Sequence, residues 1–322
     1  VAHVEQIGMA LRVLKFGGTS VGNPEKILAV AHKIAALRAA GDQVLVVVSA
    51  MGQSTDELTA LAQRITHRPP RREMDMLLTA GERVSMALLA MALATLDCEA
   101  ISFTGSQSGI ITDQEHADAR IVSVRPFRVE EELARGRVVI VAGFQGVSQN
   151  KEFTNLGRGG SDTTAVAMAI RLGAAESEIH TDVPGVLSAD PRIVPQARPL
   201  PSIAFEPMIT LSHLGGRVLY SRALRLARRF SHPVRVRPTH VDADGTRIGP
   251  IPQTRPAPRS SEELEPMEST QILAIALENP VLLVRVEWPK DATIALPSQW
   301  CRRACFWHHQ SRTPSGMTAE WI

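Results

Sequence analysis

The chain has 322 residues, 44% of them apolar and 21% charged, which excludes a disordered or fibrous protein and suffices for about two domains of roughly 150 residues. Lys and Arg number 35 against 33 Asp and Glu, a formal charge of +2, so the composition gives no reason to expect nucleic acid or an anionic membrane as partner. No apolar run approaches the ~20 residues of a spanning helix, Val1–Met9 lacks the pattern of a signal peptide, and three cysteines make no disulfide framework; a soluble cytoplasmic enzyme or binding protein is the expected class.

Val1–Gly8 reads as an extension ahead of Met9. Arg12–Phe16, Val44–Ser49, Ala100–Phe103 and Arg137–Ala142 are short Val- and Ile-rich runs, as expected of strands covered on both faces. Pro24–Arg38 carries apolar residues at Ile27, Val30, Ala31, Ile34 and Leu37 and predicts an amphipathic helix with proline near its start. Met74–Leu96 and Ser161–Leu172 also read as helices, and Glu178–Thr181 as a strand. This alternation predicts an α/β fold with a mainly parallel sheet between helical layers.

Several stretches between these elements carry chemistry. Lys15-Phe-Gly-Gly-Thr-Ser20 follows the first strand; its glycines let the backbone turn tightly and present N–H groups to an anion, and Lys15 adds a point charge for phosphate. It is not a P-loop, and an ordinary turn with a surface lysine is the competing reading. Gly81-Glu-Arg-Val-Ser85 lies within a helical pattern, where Glu82 by itself reads as a solvated residue. Leu156-Gly-Arg-Gly-Gly-Ser-Asp162 is a stronger signal. Ser161 or Asp162 could cap the next helix, but capping does not explain Gly157, Gly159 and Gly160 with Arg158 among them; close backbone approach to a ligand does. His180–Arg192 follows a strand end, where open α/β sheets bind ligands, although Pro184-Gly185 and Asp190-Pro191 are also plain turn signals.

The C-terminal part has a different character. Gly249–Arg259 holds four prolines and suits a stiff linker. All four tryptophans lie at or beyond Trp288, and Pro289–Ile322 shows no clear apolar periodicity. Cys301-x-x-x-Cys305-x-x-His308-His309 has metal-ligating residue types, but the odd composition around it argues against a zinc site. His180, His213 and His232 stand apart and form no zinc motif.

Together these motifs resemble the aspartate kinases of the amino acid kinase family, in family order over about Met9–Gly249: Lys15–Ser20, Ser49-Ala50 with Thr55-Asp56, Gly81–Ser85, Gly157–Asp162, Thr181–Arg192 and Gly215–Leu219. The resemblance implies a three-layer αβα sandwich with a mainly parallel central sheet. It divides the chain into a catalytic domain over residues 9–249, a proline-rich linker over 250–268, an incomplete ACT-like segment over 269–288 and an atypical tail over 289–322.

It also implies ATP-dependent phosphorylation of the L-aspartate side chain to 4-phospho-L-aspartate, the first step towards lysine, threonine and methionine. On that pattern Lys15, Arg158 and Asp162 are catalytic. Ser49, Thr55, Glu82 and Arg158 hold aspartate, Glu82 by its ammonium group and Arg158 by a carboxylate. Lys15, Gly17, Gly18, Gly159, Gly160, Thr181, Asp182, Leu187, Arg192 and Arg217 contact ATP, and Mg2+ is held mainly by phosphates and water. A homodimer is one assembly open to the chain.

The chain also departs from the family pattern. Asn155 stands for threonine, Tyr220-Ser221 for His-Pro, Arg217 for lysine, and Leu187 for a tyrosine that would supply an aromatic nucleotide contact. Two alternatives stay open: a nucleotide-binding module without turnover, and an amino acid kinase acting on a different carboxylate.

Overall fold

The computed structural model describes residues 10–216 and 218–250 together with three strands beyond them, whose backbone alone is considered. In chain order the elements are β1 (Leu11–Phe16), α1 (Pro24–Ala39), β2 (Gln43–Val48), α2 (Ser54–Ile65), α3 (Arg71–Ala94), β3 (Ala100–Phe103), β4 (Ile110–Thr112), β5 (Ile121–Val124), α4 (Phe127–Ala134), β6 (Val138–Ala142) and β7 (Gln145–Ser148). They continue with β8 (Phe153–Asn155), α5 (Gly160–Leu172), β9 (Ser177–Thr181), β10 (Ser202–Ile203), α6 (Phe205–His213), α7 (Ser221–Arg229), β11 (Val234–Pro238) and β12 (Thr246–Ile248). The last strands are β13 (Val284–Trp288), β14 (Trp307–Thr313) and β15 (Gly316–Trp321).

The main sheet has the order β10-β12-β11-β9-β1-β2-β6-β3, and only β11–β12 pair antiparallel within it. Its centre is apolar on both faces, as the continuous runs predict: Val44–Val48 and Val138–Ala142 are buried throughout. One core, around Phe103, Met168 and Val236, lies under α4–α7; the other, around Phe16, Ile34 and Leu89, lies under α1 and α3. The expected αβα layering is therefore present. A second sheet, β5-β4-β7-β8, branches from the first where the chain leaves β6 through Gly143 and Phe144. Its strands are three or four residues long and partly polar, and the sequence reading did not anticipate them.

Local signals explain the helix boundaries. Asn23 caps α1 by accepting the Lys26 N–H at 2.9 Å, with Pro24 at the first helical position. α3 starts at Arg71 directly after Pro70, earlier than the expected Met74. This helix has 24 residues and is apolar enough over one window to span a bilayer, which the sequence reading of apolar runs did not find. It is a core helix here: it packs on α1, β3, β6 and β8 and buries the polar Asp75, Thr79, Glu82 and Ser85, then Leu89, Ala92 and Leu93 towards its C-terminal end.

Beyond residue 250, β13, β15 and β14 form a three-stranded antiparallel sheet, so strands occur where no periodicity was read. Residues 1–9, Arg217, the linker over 251–268, the ACT-like stretch over 269–283, and Cys301 and Cys305 lie outside the described residues. Leu14, wholly buried in the central strand, gives a direct test of the packing. Leu14→Ala is expected to lower the unfolding free energy by about 2–5 kcal/mol, read from the urea midpoint at unchanged m-value.

Candidate active site

The parallel strands β9, β1, β2 and β6 end on one edge of the sheet, and the loops after β1, β2 and β6 form one side of a cavity of about 450 Å³. β1 is a switch point: the chain leaves it for β2 on one side and returns as β9 on the other. Crevices at such points are where open α/β sheets bind ligands. The cavity brings together Lys15, Gly18, Ser49, Thr55, Glu82, Arg158, Gly159, Gly160 and Asp162, nine of the residues singled out from sequence.

Lys15, the next-to-last residue of β1, lines the cavity, where its Nζ meets Asp162 Oδ1 at 2.6 Å. Asp162 sits in the first turn of α5 and is 6% exposed. The capping alternative for this stretch fails, because the N-cap is Gly159, in a left-handed conformation at φ 69°, and no side chain caps the helix. A residue with a Cβ would not fit at Gly159: the added atom would lie 2.4 Å from the Tyr220 side chain. Gly18 is equally confined, 2.7 Å from the Ala50 carbonyl by the same measure. These glycines bring backbone against the cavity wall. Gly17 lies beside them, its N–H donating to the His180 carbonyl at 3.4 Å. Ser20 serves the scaffold: its hydroxyl hydrogen-bonds Thr239 Oγ1 at 2.7 Å, and the Thr239 N–H donates to the Thr181 carbonyl at 2.8 Å.

Glu82 is not the solvated residue that an isolated helix position suggests. It is 3% exposed, and its Oε1 accepts the Ala50 N–H at 3.2 Å. Gly81 permits this approach, since a Cβ there would fall 2.7 Å from that of Ala50. Among the described residues Oε2 has no hydrogen-bond partner. Burial pushes the carboxyl up to about 7, against the pull of the hydrogen bonds from backbone N–H groups. A buried acceptor that lacks a donor beside an open cavity fits a cationic ligand group. Arg158 is exposed, and among the described residues its guanidinium has no ion-pair partner.

Of the nucleotide contacts that the resemblance implies, Lys15, Gly18, Gly159 and Gly160 line the cavity, and those from Thr181 to Arg192 do not. Thr181 ends β9, and its hydroxyl donates to exposed Asp182 at 3.0 Å. Leu187 forms an isolated bridge with Pro199. Arg192 is 87% exposed and pairs with Asp190 at 2.6 Å; hydrogen bonds from Arg192 hold the Asp190 carboxyl down at about 2. None of the four lines the cavity, and Arg217 lies outside the described residues. His180 is buried and stacks on Phe16 with ring centroids 4.8 Å apart, a structural role.

Sequence reasoning missed Ala117, Phe144 and Tyr220, all of which line the cavity. Ala117 and Phe144 have φ of 71° and 68°, a strain that only tertiary contacts produce. Tyr220 was noted as a departure from the family pattern but not as a cavity residue. Among the described residues no three His, Cys, Asp or Glu side chains cluster as a metal site.

The parallel sheet between helices and the glycine-lined cavity at its switch point define a ligand-binding α/β protein. The amino acid kinase family matches residues 10–238, and the chain belongs to that family. It is 55% identical over 239 residues to a Mycobacterium tuberculosis protein named aspartokinase, covering 74% of this chain and 57% of the relative. The structure resembles the crystal structure of aspartate kinase from Synechocystis with a TM-score of 0.69 and 38% identity, covering 97% of this chain and 52% of that one. It also resembles Escherichia coli aspartokinase III in complex with aspartate and ADP, with a TM-score of 0.70 over 97% of this chain and 78% of that one; at 22% identity this likeness shows the fold. The chain thus spans less than two thirds of the length of the curated relatives it matches.

The raised pKa of Glu82 makes stability depend on pH. The unfolded chain releases this proton near pH 4.5 and the folded chain near 7, so folding takes up a proton between those values. The stability contribution therefore falls as pH rises from 4.5 to 7 and is level above that. Without ligand, Glu82→Gln is expected to become progressively more stable relative to the wild type across this window, by on the order of 3 kcal/mol between pH 4.5 and 7. Urea unfolding at pH 5 and pH 8 checks it; a gap that ignores pH would mean that Glu82 ionises normally.

Proposed function

We propose that the chain phosphorylates the side-chain carboxylate of L-aspartate with ATP, giving 4-phospho-L-aspartate, at the head of the aspartate pathway of amino acid biosynthesis. The observation that carries this reading is the charge pattern of one cavity: the buried Glu82 carboxylate with an unpartnered oxygen, the Arg158 guanidinium, and the Lys15–Asp162 pair. An α-amino dicarboxylate offers an ammonium group for Glu82, a carboxylate for Arg158 and a second carboxylate to react. Identity of 55% to a protein named aspartokinase adds weight.

The reacting carboxylate has an ordinary pKa of about 3.9 and is already ionised at neutral pH, so no general base is required. The protein must position the carboxylate and neutralise charge on the phosphoryl group in flight. Lys15 supplies the cation. Asp162 orients it, and the glycine-lined wall at Gly18, Gly159 and Gly160 admits phosphate oxygens to the backbone. Ser49 and Thr55, which also line the cavity, are our assignment for further contacts to the acceptor. Thr181, Asp182, Leu187, Arg192 and Arg217 remain our assignment for the nucleotide, which requires the loop after β9 to meet it from outside the cavity.

The donor set fits magnesium carried in on nucleotide phosphates: the cavity presents Asp162 beside Lys15 and no cage of carboxylates among the described residues. When bound, the ion screens phosphate charge, and Asp162 is the carboxylate placed to share in holding it.

Two measurements test the proposal. With Mg-ATP and a panel of L-aspartate, L-glutamate, N-acetyl-L-glutamate and UMP, ADP release is expected with L-aspartate alone. Turnover with another acceptor, or with none, rejects it. Lys15→Ala, folded by circular dichroism, is expected to lose about 3–4 kcal/mol of transition-state stabilisation, a fall in kcat of two to three orders of magnitude.

A further inference from the structure

Asp75 lies two turns before Glu82 on the same face of α3 and has no exposed surface. Its carboxylate is engaged by the loop between β4 and β5. Oδ1 and Oδ2 share the Ala117 N–H at 3.1 and 3.2 Å, and Oδ2 meets His116 Nδ1 at 2.7 Å. Ala117 is thereby held at φ 71°, which an alanine adopts only against a steric penalty.

The loop that Asp75 holds is one wall of the cavity. A Cβ on Gly157 would meet Asp118 Oδ1 at 2.8 Å and the Ala117 carbonyl at 3.3 Å, so the residue before Arg158 rests directly on it. From the opposite side Arg222 donates to the Leu156 carbonyl at 2.5 Å, to Asp118 at 3.2 Å and to the Ala119 carbonyl. The Ala119 N–H donates to the Asn155 carbonyl at 2.8 Å. Loop 113–119 and the chain leading into the glycine stretch are thus bonded together, and Asp75 ties the pair to the helix that carries Glu82.

We propose that Asp75 is a positioning residue for substrate recognition. By keeping Ala117 left-handed it fixes the wall beneath Gly157 and sets the Arg158 guanidinium at a defined span from Glu82. The inference rests on the proposed function in taking Arg158 and Glu82 as the two ends that grip the acceptor amino acid. A residue that only stabilised α3 would show neither of the selective effects below.

The test compares Asp75→Asn, alone and combined with Ala117→Gly, in the full chain. Asparagine keeps the shape but loses the charge-assisted bonds. KM for aspartate is expected to rise about tenfold or more while KM for Mg-ATP stays within about twofold. Glycine adopts the left-handed conformation without penalty, so the double variant is expected to recover a substantial part of the aspartate KM. Equal rises in both KM values, or a double variant no better than the single, would overturn the proposal. His116→Ala, at a partly exposed position, serves if Asp75→Asn does not fold: it is expected to raise the aspartate KM about threefold, and an unchanged KM counts against the proposal. Hydrogen exchange at the Ala117 amide needs no activity and separates this idea from the functional reading. It is expected to be about tenfold faster in Asp75→Asn, and unchanged exchange would defeat the proposal even if aspartate is the substrate.

Discussion

The ion pair between Lys15 and Asp162 ties the central sheet to the helix beside the cavity. It joins the end of the central strand to the first turn of α5 at 2.6 Å, with both side chains largely withdrawn from water. A lysine cation at a helix N-terminus is electrostatically misplaced, because the dipole there favours anions. Asp162 removes the conflict, since it complements the helix end and the lysine together. The result is a cation held ready beside backbone N–H groups of glycines, in a place that attracts phosphate. Either partner left alone would be a half-buried uncompensated charge, which is more costly than the intact pair is stabilising.

The Glu82 side of the cavity follows a different logic. Glu82 is buried without its full complement of donors, and the cost of ionising it shows in its raised pKa. On the proposed function, an ammonium group placed beside it relieves that cost on binding. The same helix holds Asp75, which is fully engaged by protein. Two carboxylates two turns apart thus differ in kind, one with an unpartnered oxygen among the described residues and one satisfied by protein.

The sequence made some of this legible and hid the rest for physical reasons. The central strands were readable to within a residue, because a strand covered on both faces must be a continuous apolar run. Lys15, Arg158 and the glycines were readable as chemistry, because no helix or strand needs them there. Glu82 was readable only through its motif; what buries it is the missing side chain of Gly81, a contact with Ala50 that local sequence does not reveal. The small sheet was not legible, since β4 and β8 have three residues each and too little length for a period. Asp75, His116, Ala117 and Tyr220 were invisible because their roles arise from neighbours distant in the chain. Thr181 to Arg192 read as a binding stretch by motif order, whereas the folded loop satisfies Arg192 with Asp190.

The position of β1 also bears on how the molecule folds. Val13 pairs with Leu45 early in the chain and with Ser177 only after seven further strands and five helices have been traced. Closing so long a loop is slow, because its entropy is lost before the contacts form. Lys15 and Asp162 are themselves far apart in the chain, so their meeting needs a closure of similar length, and the cavity forms only with these long-range contacts. A ligand that fills it binds the native state and not the early collapsed chain. Its stabilisation therefore falls on the unfolding limb: the bound protein unfolds more slowly and refolds no faster.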